Sequence, residues 1–267
     1  MLHCTFEDEV DLATVAIRVK DRDKMIAFYR DLIGFELKGE ENALAIMGIA
    51  KTKQENLWIE ESPRAQSYEG QIKRLKQLGL HIGHLEELAD LYARLIKADY
   101  SKVATEFSED RVHLLVEDPE ENFLDIYVET QLPVTSAEKL LENSKNDYPK
   151  LSVDSTFDNV SLHVLDKAEE GHFLSSVIGF DSDEGAYQLA LSKQAFWISL
   201  EEKANQTLAM SADDITGLEV VKFVISQKDL LDLEKTLQGS GRPFYIDHKK
   251  TIIAVSDPAG VEWWYSI

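Results

Sequence analysis

The sequence predicts an α+β protein of two tandem domains, each built from paired β-α-β-β-β modules. The first observation is that residues 15–35 return as residues 160–180, with seven identical residues at a constant separation of 145 positions. The second is that Trp58 and the pair Asp118-Pro119 return 139 positions later. Two constant offsets that differ by six residues indicate duplication of a whole domain followed by one deletion.

The length and composition are those of an ordinary globular protein. At 267 residues the chain is long enough for two domains. The net charge of −21 argues against nucleic acid and anionic membrane as partners, because a polyphosphate is bound by a cationic surface. The single cysteine, Cys4, excludes an intrachain disulfide. The N-terminus has no apolar run typical of a secretory signal, so a cytoplasmic location is expected.

The first module begins with a half-buried strand. Residues 14–19 alternate, with Val15, Ile17 and Val19 on one face and Thr14, Ala16 and Arg18 on the other. An amphipathic helix follows, capped by Asp21 or Asp23 and ended by Gly34. Three short strands are predicted to complete the module, over residues 35–38, 43–47 and 56–60.

A second module of the same order is predicted after it. The expected elements are a strand over 79–83, a helix over 86–98, and strands over 103–107, 111–116 and 123–128. Asp118 and Asp257 are each expected to begin a hairpin turn. The predicted domain organisation is a tail over 1–12, a first domain over 13–130, a linker over 131–154 and a second domain over 155–267.

The phrases VAIRVKD, FYRDLIGF and DPEENFLDI resemble the vicinal oxygen chelate superfamily, the glyoxalase, bleomycin-resistance and extradiol-dioxygenase group. The closer resemblance is to the CppA family of streptococcal proteins, whose members are labelled complement C3-degrading proteinases. The superfamily resemblance implies paired modules that form cups of curved sheet, each holding a metal by residues of the first and last strands.

The resemblance places the metal-ligand slots residue by residue. The first-strand histidine slots fall on Thr14 and Asn159, and the last-strand glutamate slots fall on Asp125 and Trp264. Asn159 and Trp264 leave the second domain without its metal site. The first domain keeps a partial set of ligands, Glu60, His81 and Asp125. Three protein ligands can hold a divalent metal and leave one coordination position open. The alternative is that these three are ordinary polar residues, and no metal or other cofactor is then expected.

A ligand pocket without metal is the preferred interpretation of the residues. Strand parity points six residues into the cups: Thr14, Arg18, Tyr127, Asn159, His163 and Trp264. Arg18 and His163 would supply charge, and Tyr127 and Trp264 apolar walls. The alternative for Arg18 is an ion pair with a local carboxylate.

Three functions follow from these observations. The CppA resemblance implies a proteinase with complement C3 as its partner, which would require exposure outside the cell. The residues instead favour a metal-free module that binds a small molecule or a protein. A metal-dependent lyase or dioxygenase using the first domain is the third. Neither HExxH nor GxSxG is present, so the sequence carries no recognisable protease motif and leaves enzymatic activity open.

Overall fold

The computed structural model describes residues 5–6, 9–65, 73–131, 133–183, 185–192, 194–203 and 215–267. Contacts group the chain into two compact units. Unit 1 comprises the described residues of Met1–Arg18, Arg64–Lys76 and Asn159–Ile267, and unit 2 those of Val19–Pro63 and Gln77–Asp158. The predicted α+β class is confirmed, with the strand–helix–three-strand order repeated along the chain.

Unit 2 contains two sets of paired strands and three helices. The first set has the order β4-β3-β2 and the second β5-β8-β7-β6, in which β5 and β8 are parallel and the other pairs antiparallel. Its elements are α1 (Arg22–Ala27, continued by a π-helical turn over Phe28–Ile33), β2 (Glu36–Glu41), β3 (Leu44–Gly48), β4 (Leu57–Glu61), β5 (Leu75–His81), α2 (Leu85–Lys97), β6 (Val103–Phe107), β7 (Arg111–Glu117), β8 (Phe123–Glu129) and α3 (Ala137–Leu141).

Unit 1 also contains two sets of paired strands, in the orders β10-β11-β12-β9 and β14-β15-β16-β13-β1. Its elements are β1 (Asp11–Val19), β9 (Thr156–Val164), α4 (Lys167–His172, continued over Phe173–Val177), β10 (Asp181–Asp183), β11 (Ala186–Ala190), β12 (Ala195–Glu202), β13 (Gly217–Val224), α5 (Gln227–Ser240), β14 (Tyr245–Ile246), β15 (Ile252–Ser256) and β16 (Glu262–Ser266). Its core is aromatic: Phe223 stacks on both Trp263 and Tyr265.

The strand β1 pairs with β13, which the repeat had not indicated. The two strands are antiparallel, with Thr14 opposite Lys222 and Ala16 opposite Val220. Periodicity assigns faces of a strand but does not identify the strand that pairs with its edge. Because β13 pairs in turn with β16, Thr14 and Arg18 share a sheet with Trp264.

The capped first helix ends where the sequence indicated. The Asp21 carboxylate accepts a hydrogen bond from the Lys24 amide at 3.0 Å. Gly34 ends the π-helical turn with φ of 108°, a left-handed conformation that favours glycine. A Cβ there would also lie 3.0 Å from the Arg94 guanidinium and 3.1 Å from the Leu151 amide, so the position is closed to other residues.

Several predicted boundaries were wrong by a few residues. The strand expected over 79–83 begins at Leu75 and ends at His81. The strands expected over 35–38 and 123–128 extend to Glu41 and Glu129. These differences arise because capping and tertiary contacts set element ends more strongly than local pattern.

The segment over residues 144–155, expected as part of the linker, is held against α2. The Glu87 carboxylate accepts hydrogen bonds from the Ser152 amide and hydroxyl and from the Ser155 hydroxyl, at 2.6–2.8 Å. The Asp90 carboxylate accepts from the Ser144 hydroxyl and from three backbone amides. These contacts give the segment a fixed path within unit 2.

No helix in the described ranges is long and apolar enough to cross a bilayer.

Candidate binding site on unit 2

Three aromatic side chains form a row across β5, β8 and β7. His81 lies opposite Tyr127, and Tyr127 lies opposite His113. The ring centroids of His81 and Tyr127 are 5.3 Å apart, and those of Tyr127 and His113 are 5.4 Å apart and stacked at 21°. The side of these strands that carries the row is called the histidine face, and its members are Gly79, His81, Arg111, His113, Asp125 and Tyr127. Gly79 and Tyr127 are buried, and the other four are half-buried.

The alternation of β7 explains why His113 stands on this face. Val112, Leu114 and Val116 are fully buried, so the residues between them point to the other side of the strand. The turn that begins at Asp118 sets the register of β7 against β8. The Asp118 carboxylate accepts from the Glu120 and Asn122 amides at 2.9 Å, as a turn-forming aspartate is expected to do.

His113 is oriented by a carboxylate. Its Nδ1 lies 2.8 Å from Asp125 Oδ1, and this contact raises the pKa of His113 above its ordinary value, although partial burial opposes the shift. The contact occupies Nδ1, so the second ring nitrogen, Nε2, is the one that can meet a ligand. Both nitrogens carry a proton when the imidazole is charged.

A guanidinium lies over the central ring of the row. The Arg111 carbon Cζ is 5.2 Å from the Tyr127 ring centroid, and one terminal nitrogen donates to Glu129 at 2.7 Å. The Tyr127 hydroxyl donates to Asp158, and burial together with that carboxylate raises the pKa of Tyr127, so the phenol stays neutral. The Tyr127 ring is thereby fixed against the Arg111 guanidinium and the His113 imidazole.

The other sequence-predicted pocket residues lie elsewhere in the fold. Arg18 is buried and forms an ion pair with Glu219, which is the alternative that the sequence left open. Thr14 is also buried, and the Trp264 indole donates to Glu262 at 2.7 Å. This part of unit 1 has its polar groups engaged with one another.

Asn159 and His163 lie on β9, opposite Trp197 and Glu201 of β12. His163 Nδ1 is 2.8 Å from the Lys73 carbonyl oxygen, and Nε2 is 3.8 Å from Glu201. Both ring nitrogens therefore face groups of the chain itself, which favours a structural role for His163 over the predicted ligand contact.

The predicted metal ligands do not converge. Glu60 belongs to β4, which pairs with β3, whereas His81 and Asp125 belong to the paired strands β5 and β8. Asp125 is engaged with His113. In the described ranges, no group of three or more histidine, cysteine, aspartate or glutamate residues has the spacing of a metal site. These residues therefore do not fit the metal that the superfamily resemblance implies.

His113 and Arg111 were missed by sequence reasoning. Both occupy alternate positions of β7, a strand that the sequence predicted correctly over most of its length. The signal was present, because strand parity and the hairpin turn together place His113 and Arg111 on the face of Asp125 and Tyr127. Cys4, the one thiol of the chain, lies outside the described residues.

Comparison with solved structures supports the fold. The cppA protein of Streptococcus pneumoniae TIGR4 superposes with a TM-score of 0.67 at 16% identity, covering 97% of this chain and 98% of that one. A candidate dioxygenase of Bacillus subtilis gives 0.67 at 11% identity, covering 97% and 85%. Glyoxalase I of Zea mays gives 0.56 at 14% identity, covering 96% and 92%. At these identities the likeness is one of fold, that of the vicinal oxygen chelate proteins.

Sequence comparison is more specific. No curated protein matches the chain. The family profile described as CppA N-terminal matches residues 12–132, and the one described as CppA C-terminal matches residues 151–265. Together the two profiles span most of the sequence, in the order of their names. The chain therefore belongs to the CppA family and has the tandem glyoxalase-like fold of the vicinal oxygen chelate proteins.

Proposed function

We propose that this protein is a metal-free binding module for small aromatic carboxylates, which bind on the histidine face of unit 2. The observation that carries the proposal is the Tyr127 ring, stacked on His113 and covered by the Arg111 guanidinium. Tyr127 is itself buried, so its ring supports the two nitrogen bases, and a ligand with a flat ring and a negative charge would contact the half-buried Arg111 and His113 side chains.

Arg111 and His113 are each paired with one carboxylate, so the anion would be recognised by their remaining N–H donors and not by a net positive charge. Arg111 is permanently cationic, and its planar guanidinium suits a carboxylate because two N–H groups can donate in parallel. His113 is kept closer to its charged form by Asp125. The carboxylates Asp125 and Glu129 each contact one of these bases through one nitrogen, which leaves further N–H groups on both side chains for a ligand.

The test is thermal unfolding with benzoate, phenylacetate and 4-hydroxybenzoate as probes, in buffer containing EDTA. Binding to the folded state raises Tm by roughly 3–8 °C when the probe is at about 100 times its Kd. Replacement of Arg111 by glutamine removes the cation and is expected to abolish the shift. A shift that requires added divalent metal would contradict the proposal.

Arg242 provides the matched control. Its guanidinium lies 5.2 Å from the Phe173 ring and 3.6 Å from Glu169, so it repeats the arrangement of Arg111 over an aromatic ring in unit 1. Arg242→Gln is expected to keep the benzoate shift. If both variants lost it equally, the response would come from general charge and not from the histidine face.

The two other functions remain as competing proposals. Cleavage of complement C3 rests on the CppA resemblance, and purified protein incubated with C3 and followed on a gel tests it. Cleavage that persists in EDTA and through a second purification step would favour the proteinase. A metal-dependent lyase or dioxygenase finds no support in the spacing of Glu60, His81 and Asp125, and metal analysis of the purified protein tests it.

A further inference from the structure

A second patch of strand residues in unit 1 has a composition of its own. Trp197 of β12 lies between Gln188 of β11 and Asn159 of β9 in the same row. The adjacent row holds Ala186, Ser199 and Ser161, with the two serine hydroxyls 2.6 Å apart. These six residues are called the tryptophan face.

The indole of Trp197 is unusually accessible for its size. The residue is 37% exposed, whereas Trp263 of the same unit is fully buried. Its neighbours on β12, Ala195 and Ser199, have small side chains, so they leave the ring standing above them. Among the described residues, the indole of Trp197 has no hydrogen-bond partner, so its N–H is available to a ligand.

The repeat supplies a contrast at the equivalent position. Trp58 corresponds to Trp197, but its indole N–H donates to Glu55 at 3.1 Å. One copy of the tryptophan is thus tied to a neighbouring carboxylate, while the other faces solvent among neutral side chains. The contact with Glu55 gives Trp58 a structural role, whereas no such contact explains the exposed indole of Trp197.

We infer that the tryptophan face binds a neutral saccharide. The apolar C–H face of a sugar ring can pack on the electron-rich indole, as other ring contacts do. The amide and hydroxyl groups around it each both donate and accept hydrogen bonds, which is also true of every sugar hydroxyl. A charged ligand would call for a counter-charge, and no residue of the six carries one.

The ionic groups at the end of this strand are already paired. Glu201 lies 2.6 Å from Lys76 and also binds Lys203, and it faces His163 at 3.8 Å. On the other side, both rows continue onto β10 with acidic positions, Asp181 opposite Gln188 and Asp183 opposite Ala186. The face is therefore neutral at its centre and bordered by acidic residues, which disfavours an anionic ligand. The inference does not depend on carboxylate binding by the histidine face.

The experiment uses the full chain with lactose and maltose as probes, followed by saturation-transfer NMR, which does not need Trp197 as a reporter. One stacked ring with a few hydrogen bonds predicts a Kd of about 1–10 mM. Trp197→Ala is expected to weaken binding at least tenfold, and Gln188→Ala severalfold. Trp58→Ala is expected to leave it unchanged, and circular dichroism checks that each variant is folded.

Each outcome of this experiment either supports or overturns the inference. Saturation transfer from the protein to either sugar that is lost in Trp197→Ala and kept in Trp58→Ala supports the inference. No transfer to either sugar overturns it, as does transfer that persists in Trp197→Ala. Adenosine serves as a flat heteroaromatic probe, and binding of adenosine in preference to both sugars would also overturn the saccharide assignment.

Discussion

At the scale of single residues, the two contacts around His113 decide what the histidine face can bind. Asp125 orients the imidazole through Nδ1, and the Tyr127 ring fixes its plane by stacking. Neither contact is visible in the sequence as a motif, because the residues lie on two strands. They were predictable in part, since Tyr127 and Asp125 were placed on one face by strand parity, but His113 required the register of the hairpin.

Removal of the Asp125 charge is expected to lower the pKa of His113. The raised pKa means that the contact stabilises the fold most below pH 6.5, the ordinary value for imidazole, and that this contribution is lost as pH rises through the raised folded pKa. In Asp125→Asn the dependence of stability on pH should weaken, and the pKa of His113 should fall. Histidine NMR titration of both proteins measures that pKa, with the exposed His84 as internal control. An unchanged His113 titration curve would contradict the assignment.

At the scale of elements, the extent of α2 could be predicted from the sequence, but the partners of its buried acids could not. Its apolar stripe was readable from three- and four-residue spacing, and the predicted helix is confirmed to within one residue at each end. Its buried Glu87 and Asp90 were not interpretable, because their partners lie more than 50 positions later. A buried carboxylate in a helix indicates that a partner exists but does not identify it.

Replacement of Glu87 by alanine is expected to release residues 150–155 from α2. Three donors lose their acceptor, which should cost about 1–3 kcal/mol of unfolding free energy. Glu86→Ala is the matched control, since Glu86 is more exposed and holds Lys145 in a surface ion pair at 3.0 Å. Hydrogen exchange over 150–155 and urea unfolding measure the difference, and equal effects of the two variants would argue against the docking role.

The repeated helix of unit 1 carries a buried acid where its counterpart in unit 2 carries Met25. Glu170 is buried, and its carboxyl group interacts with that of Asp257, which accepts from the Val261 amide and the Trp263 indole. Burial and the neighbouring carboxylate raise the pKa of Glu170 to about 10. Burial raises the pKa of Asp257 as well, so the pair resists carrying two negative charges.

This raised pKa predicts a stability that falls with increasing pH. Neutral Glu170 makes its full contribution to stability at pH values below 4.5, the ordinary pKa of its side chain. That contribution is lost progressively as pH rises toward 10. Glu170→Gln mimics the neutral acid, so it should unfold like the parent at pH 5 and be more stable by about 1–3 kcal/mol at pH 9. Glu169→Gln is the exposed control. Parallel pH profiles of the parent and Glu170→Gln would refute the prediction.

At the scale of the whole molecule, the duplication was the most informative sequence feature. It predicted the α+β class and the repeated strand–helix–three-strand order, and three short phrases carried the family resemblance; all of these are confirmed. The predicted domain boundaries stay a prediction. The pairing of β1 with β13 could not be predicted, because a repeat shows which segments are alike and not which copies contact each other.

Equivalent positions of the two sequence copies have different surroundings. By the repeat offsets, Arg18 corresponds to His163 and Asp125 to Trp264. Arg18 pairs with Glu219 and the Trp264 indole donates to Glu262, whereas Asp125 contacts His113 in the aromatic row of unit 2.

Histidine NMR of EDTA-treated protein during titration with benzoate at pH 7 tests whether the histidine face binds a carboxylate without metal. The His113 resonances are expected to shift in a saturable way, and the pKa of His113 is expected to rise further because the bound carboxylate favours the charged imidazole. Arg111→Gln should abolish the shift. Resonances that stay unmoved until a divalent metal is added would contradict a metal-free site on the histidine face.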